Sequence, residues 1–224
     1  MTTKPRSDPF SSNSEFLDNI VAWLRVRFSR LEAERDLLHS EQEARLGQDR
    51  PRQNRGGVRE ARGLAYELAY QEKQVRELLD ARLASHRATP DAPLLGILKL
   101  QEDLELSEDE MTLLLTLAIP AISPELSNEV LHSRGGFCGN VSIGELLSVL
   151  SPITVGDWLA ARCFMRPSGK LARNGLVVIA HYHGQPTGTS LMSATVEISI
   201  RGLSAILADP EVEEEIETSG DSAA

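Results

Sequence analysis

The chain has 224 residues, which is enough for one large domain or two small ones. Apolar residues make up 41% and charged residues 25%, as in globular proteins, and the longest apolar run, near Met111–Ile122, is too short and interrupted to predict a membrane span. The net charge of −10 disfavours nucleic-acid phosphates as partners, and the two distant cysteines disfavour a disulfide framework, so a cytoplasmic location is expected.

Two long amphipathic helices are predicted in the first ninety residues. A polar lead over residues 1–12, expected to be disordered and without the apolar core of a signal peptide, precedes a capping box that opens a helix over about 13–45. A second apolar stripe, which includes Leu64, Leu78 and Leu79, predicts a helix over about 58–86. The loop between them is rich in arginine and glycine. Residues 13–90 are therefore predicted to form an antiparallel helical hairpin.

Residues 91–209 are predicted to form a second domain. Capping boxes headed by Ser107 and Ser142 each indicate the start of a helix, and Thr154 with Asp157 is expected to open a third. The helix after Ser107 is apolar nearly all round, which predicts a central buried helix, and Pro120 is expected to end it. A short helix is also predicted over 94–104.

Two β-rich runs, residues 176–183 and 192–199, flank a Gly/Pro turn and precede a last helical turn over 202–207. Short helices followed by such a strand pair are typical of a winged helix. The predicted fold class is thus mainly α, of the α+β type: a long helical hairpin followed by a winged-helix domain with a two-stranded β wing. The acidic tail, residues 210–224, is expected to be disordered.

Candidate catalytic and metal sites are weak. Gly169-Lys170 lacks the upstream glycine and the hydroxyl residue of a phosphate-binding loop. His181 and His183 share one face of a strand, but only Cys163 and Glu197 are available as further zinc ligands. Cys138 and His132 could form a nucleophile–base pair, but one cysteine and one histidine this close in sequence are expected by chance. We therefore expect no enzyme activity, no cofactor and no metal site.

A candidate interaction surface follows from the helix predicted over 154–165, which occupies the place of a recognition helix. Such a helix normally turns arginine, lysine, asparagine or glutamine toward base edges, whereas this one offers little beyond Asp157 and one arginine. Residues 101–150 carry a net charge of −8 and would repel DNA. The candidate surface consists of Trp158, Arg162, Arg166, Lys170 and Arg173.

Four segments together resemble the N-terminal accessory region of a bacterial AAA+ ATPase group, in which a helical segment and a winged helix precede the ATPase core. They are LSEDEMTLLLTLAIPAISPEL (106–126), VSIGELLSVLSP (141–152), WLAARCFMRPSGKLARNGLVVI (158–179) and ATVEISIRGLSAIL (194–207). The helical hairpin also fits in position. The chain departs from the group in two places: residues 132–140 differ, and no phosphate-binding loop or paired magnesium-binding acids follow Pro210.

The resemblance implies a non-catalytic protein-interaction module that positions an AAA+ motor, its substrate or an assembly. No nucleotide-binding or catalytic residue carries over to this chain. The alternative from the residues is a winged-helix DNA-binding transcriptional regulator that uses residues 154–173 and the arginine-rich loop.

Overall fold

The computed structural model describes residues 8–46, 54–127, 141–150, 154–180 and 191–208. The chain divides into two compact units: residues 1–11 with 18–92 form unit 1, and residues 12–17 with 93–224 form unit 2. In the described part of the chain, no single helix has both the length and the apolar character to cross a membrane; one bent pair of short helices passes that test by length and composition only.

Unit 1 contains the predicted helical hairpin. Helix α1 spans Asn13–Leu46, of which residues 18–46 belong to this unit, and α2 spans Asn54–Arg87. Contacts pair early positions of α1 with late positions of α2, and the reverse: Arg82 donates to Asn19, Arg27 to Glu72 and Arg62 to Glu41. The two helices are therefore antiparallel, as predicted.

Charged side chains form much of the interface between α1 and α2. Glu72, whose side chain is only 12% exposed, accepts a hydrogen bond of 3.0 Å from Nη1 of Arg27 and a second, short one from Nε of Arg30. The guanidinium groups of Arg27 and Arg76 lie over the buried ring of Trp23, at 5.5 and 5.2 Å from its centroid. The Glu72 carboxylate thus offsets the charge of Arg27 and Arg30, and the face of the Trp23 ring attracts the guanidinium groups of Arg27 and Arg76.

The apolar stripe predicted for α2 is only partly buried. Ala65 and Leu79 are buried, but Leu64 and Leu78 are 52% and 61% exposed. The face of α2 that meets α1 also includes arginine and glutamate, and these two leucines stay exposed. Periodicity identifies an apolar stripe but does not say which of its edges a neighbouring helix covers.

Residues 8–12, assigned to the polar lead, include one well-packed side chain. Phe10 is 1% exposed, its ring lies 5.9 Å from that of His86, and the guanidinium of Arg82 stacks over it at 4.1 Å. Arg82 also donates to the carbonyl of Asp8. This segment packs on the C-terminal part of α2.

Unit 2 consists of short elements around one buried helix. In chain order these are α3 (Gly96–Leu104), α4 (Glu108–Ile122), β1 (Val141–Ser142), α5 (Ile143–Leu147), α6 (Val155–Ala161), α7 (Lys170–Arg173), β2 (Val177–Ala180), β3 (Thr195–Ile198) and α8 (Ile200–Leu207). Residues 124–127 are also helical, and 3₁₀ turns cover 148–150, 162–165 and 191–193.

All three capping boxes in unit 2 are present. The side chains of Ser107, Ser142 and Thr154 each accept from a backbone N–H three residues later, and the acid at that position accepts from the capping residue's own N–H. Every residue from Glu110 to Ile119 is buried, so α4 is the central helix, as predicted. It contacts α5, β3 and α8.

Several helix boundaries differ from their predictions, among them those of α4 and α3. Pro120 lies inside α4 rather than at its end, and Ser123 still donates to the carbonyl of Ile119 at 2.8 Å. The proline costs one backbone hydrogen bond in the last turn, which the burial of the preceding ten residues outweighs. Helix α3 begins at Gly96 rather than residue 94, and Leu94 is 59% exposed.

The sheet has three antiparallel strands in the order β1-β3-β2. The wing pair was predicted: Val177 pairs with Ile198 and Ala180 with Thr195. Strand β3 is shorter than its predicted run, because residues 191–193 form a 3₁₀ turn and Ser199 caps α8. Strand β2 is described from Val177 to Ala180, and residues 181–183 of its predicted run lie outside the described chain. The two-residue strand β1 was not predicted, since two residues are too few to show an alternating pattern.

Three helix ends in unit 2 meet at the side chain of Asn13. Its amide nitrogen donates to the carbonyls of Ile206 and Leu207 at 3.0 and 2.9 Å, and its amide oxygen accepts from the N–H of Gly96 at 3.1 Å. A Cβ at Gly96 would lie 2.1 Å from the carbonyl oxygen of Ala205. The start of α3 therefore approaches the end of α8 more closely than any other residue allows.

Gly96→Ala is expected to destabilise unit 2 by about 1–3 kcal/mol, because the added methyl group meets backbone that cannot rotate away. Gly156→Ala is the matched control in the same unit: its Cβ would meet only the Thr154 hydroxyl at 3.5 Å, so its stability should be unchanged or slightly raised. Urea unfolding followed by circular dichroism measures both. Equal effects of the two substitutions would contradict the close approach of α3 and α8.

Glu72→Gln is expected to lower the stability of unit 1 by about 1–3 kcal/mol, because two shielded arginines lose the carboxylate that they share, although Arg30 keeps its ion pair with Glu34. Glu67→Gln, at an exposed position of the same helix, should change stability by less than about 0.5 kcal/mol. Trp23 fluorescence during urea unfolding, measured in a Trp158→Phe background, reports on this unit. A Glu72→Gln protein as stable as the Glu67→Gln protein would show that the ion cluster contributes nothing.

Candidate functional site

Helix α6 occupies the place in unit 2 where a recognition helix was predicted, between α5 and strand β2. It is shorter than the predicted span of residues 154–165. The α-helix ends at Ala161 and the chain continues as the 3₁₀ turn Arg162–Met165. Only one residue of α6, Ala161, is buried, so most of this helix faces solvent.

The exposed face of α6 is apolar. Val155 is 77% exposed and Leu159 is 54% exposed, while Trp158 is half-buried beside them. Positions 155, 158, 159 and 162 follow helical spacing, so these three side chains share one face and Arg162 lies at its end. We call Val155, Trp158 and Leu159 the α6 surface.

The polar groups of α6 are engaged in its own N-terminus. Asp157 is the only charged residue in the helix, and its carboxylate accepts from the N–H of Thr154 at 2.8 Å. The Thr154 hydroxyl in turn accepts from the N–H of Asp157 at 3.2 Å. The helix therefore presents no arginine, lysine, asparagine or glutamine of its own for hydrogen bonding to base edges.

Four cations follow α6 in a compact arrangement that we call the basic turn: Arg162, Arg166, Lys170 and Arg173. The chain reverses at Gly169, whose N–H donates to the carbonyl of Arg166 at 2.8 Å and whose Cβ, if present, would lie 2.8 Å from the carbonyl of Phe164. Helix α7 then packs against the 3₁₀ turn. Two fully buried side chains, Met165 and Leu171, hold this arrangement in the core.

Lys170 has a structural contact. Its ammonium group donates to the carbonyl oxygen of Glu105, the residue that caps the C-terminus of α3. A cation at a helix C-terminus is favoured by the helix dipole. Lys170 thus links α7 to α3, which leaves the three arginines as the basic groups available to a ligand.

Arg162, Arg166 and Arg173 form no ion pair within the described residues. Arg166 and Arg173 are exposed and Arg162 is half-exposed. Residues 154–180 contain these four cations and one acid, a net charge of +3 in a chain whose net charge is −10. The basic turn is a local positive region beside the α6 surface.

The other candidate sites stay predictions or lie outside the described chain. His132, Cys138, His181 and His183 fall among residues that are not described. Cys163 is exposed beside α6. Within the described ranges, no group of three or more His, Cys, Asp or Glu side chains is arranged to hold a metal ion. Gly169 precedes a four-residue helix, which is too short to act as a phosphate cradle.

A second surface feature of unit 2 is a groove of about 420 Å³ between α3 and α8. Its lining combines apolar groups with charges of both signs and includes Leu94, Lys99, Leu100, Asp103, Leu176 and Arg201. Because the positive charge of Lys99 and the negative charge of Asp103 both line the groove, its charge favours neither an anionic nor a cationic ligand.

Sequence comparison assigns this fold to a family. Searches of curated proteins and of solved structures found no significant match. The sequence matches the family described as "Winged helix domain, variant" over residues 1–219, which is nearly the whole chain. The order of helices and strands in unit 2 agrees with that description. The chain therefore belongs to the winged helix domain, variant, family.

Proposed function

We propose that this protein is a non-catalytic interaction module whose α6 surface docks on another protein, and that this partner is an AAA+ motor or a substrate of one. Winged helices serve both in protein contacts and in DNA binding, so membership of the family is compatible with either role. The choice depends on the chemistry that α6 presents.

The exposed apolar face of α6 carries the proposal. A recognition helix in the major groove needs polar side chains that reach base edges, whereas α6 exposes Val155 and Leu159 with the indole of Trp158 beside them. Aromatic and aliphatic groups of this kind, with arginines at the margin, are typical of the centre and rim of a protein interface.

The AAA+ part of the proposal rests on the resemblance of residues 106–126, 141–152, 158–179 and 194–207 to an ATPase accessory region. These segments supply α4, α5, the α6–β2 stretch and β3 with α8, so the resemblance extends through most of unit 2. An accessory domain of this kind has no chemistry of its own and acts by holding a motor or its substrate.

DNA binding is the second candidate function, and the basic turn is the observation that favours it. Three arginines without ion pairs among the described residues are suited to phosphate contacts. However, nine acids and one arginine occupy residues 101–150, which raises the electrostatic cost of approaching a duplex.

We expect a photo-crosslinking amino acid at position 159 to link the chain to an AAA+ protein or its substrate in the native host, because this residue lies at the centre of the proposed interface. Leu159→Glu should weaken binding of the identified partner by at least about tenfold, since a charge would be buried against apolar groups. Isothermal titration with that partner measures the loss.

Tyr66→Glu is the matched control, because Tyr66 is 79% exposed but lies on α2 of unit 1. It should leave binding unchanged. Equal loss with both substitutions, or crosslinks to nucleic acid only, would refute the proposal. A gel shift with duplex DNA that persists at moderate salt would favour the DNA-binding alternative instead.

A further inference from the structure

We propose that an acidic segment of this same chain, residues 211–217, docks on the α6 surface and the basic turn. The proposal rests on the proposed function, because it assigns the chemical class of ligand that this surface accepts: an acidic peptide with apolar side chains spaced along it. The segment would occupy the surface when the partner is absent and compete with the partner for it.

The charges of the two parts are complementary. The segment Glu-Val-Glu-Glu-Glu-Ile-Glu holds five carboxylates and no cation. The basic turn offers three arginines that have no carboxylate partner among the described residues, and the guanidinium group forms its strongest hydrogen bonds with carboxylates. No other stretch of seven residues in the sequence contains five acids and no base together with apolar residues four positions apart.

The apolar groups also correspond. Val212 and Ile216 are four residues apart in the segment, the same separation as Val155 and Leu159 on α6. Both side chains on α6 are more than half exposed. Contact with two aliphatic side chains would remove that apolar area from water, while the glutamates between them reach the arginines at the margin.

Because the segment is part of the same chain, weak contacts are sufficient to hold it on the surface. Only residues 209 and 210 separate the segment from Ala208, the last described residue of unit 2. A tether of this kind gives an effective concentration in the millimolar range, so even weak affinity fills the site.

Disulfide trapping in the full-length chain tests the proposal. Cys163 is exposed in the 3₁₀ turn directly after α6, so it is a native reporter for this surface. In a chain carrying Cys138→Ser and Thr218→Cys, directly after the segment, we expect diamide to join Cys163 to the introduced thiol, as detected by peptide mass spectrometry. The rate should be normalised to the alkylation of Cys163 by a neutral reagent.

Three changes should slow the trapping reaction by about fivefold or more, because each removes charge attraction. They are 0.5 M NaCl, the combination Arg162→Glu with Arg173→Glu, and the combination Glu213→Gln with Glu214→Gln and Glu215→Gln. The last combination alters no described residue, so it separates docking from any effect on folding. Arg201→Glu is the matched control: it removes an exposed arginine of α8, nearer in sequence to the segment, and should leave the rate unchanged.

Several outcomes would overturn the proposal: no disulfide between these positions, a rate insensitive to salt, or an equal loss with Arg201→Glu. Binding of duplex DNA that displaces the segment would instead identify the basic turn as a nucleic-acid site. If no disulfide forms while the photo-crosslinker at position 159 still links the chain to a protein partner, only this inference would be wrong. If the disulfide forms but no protein partner is found, the segment would still be a ligand of this surface and the proposed function would be wrong.

Discussion

The close approach of α3 and α8 is the constraint on which unit 2 depends. Gly96 allows the first turn of α3 to touch the backbone of α8, and the amide of Asn13 satisfies backbone groups at both helix ends. Unpaired carbonyls and N–H groups at helix termini would otherwise be costly where water is excluded. Because α3 leads into α4 and α8 follows β3, this junction holds the beginning and the end of the winged-helix unit together.

The rest of unit 2 determines what remains on its surface. α4 contributes ten consecutive buried residues, and Met165 and Leu171 anchor the turn after α6. With these groups in the core, α6 buries only Ala161. The exposed valine and leucine on α6 are therefore a consequence of core packing elsewhere.

Unit 1 shows how an interface can differ from its sequence pattern. Its two helices meet through arginines, a shared glutamate and a tryptophan ring as much as through leucines. Removing one member of such a cluster destabilises the protein, because the remaining charges stay partly shielded from water. Leu64 and Leu78 consequently remain exposed, although they belong to the most regular apolar stripe of α2.

Local patterns in the sequence were sufficient for the helices with side-chain caps, the buried character of α4, the paired wing strands and the antiparallel hairpin. These features depend on interactions between residues a few positions apart, or on an apolar period that extends over many residues. They also predicted the winged helix that describes the family to which the chain belongs. Tertiary structure alone determined that α4 continues through Pro120, that β1 joins the sheet, that Asn13 bridges α3 and α8, and that α6 turns its valine and leucine outward. Each of these outcomes depends on which distant element covers a side chain or a backbone group, and that information is absent from local spacing because burial is decided by the packing of the whole unit.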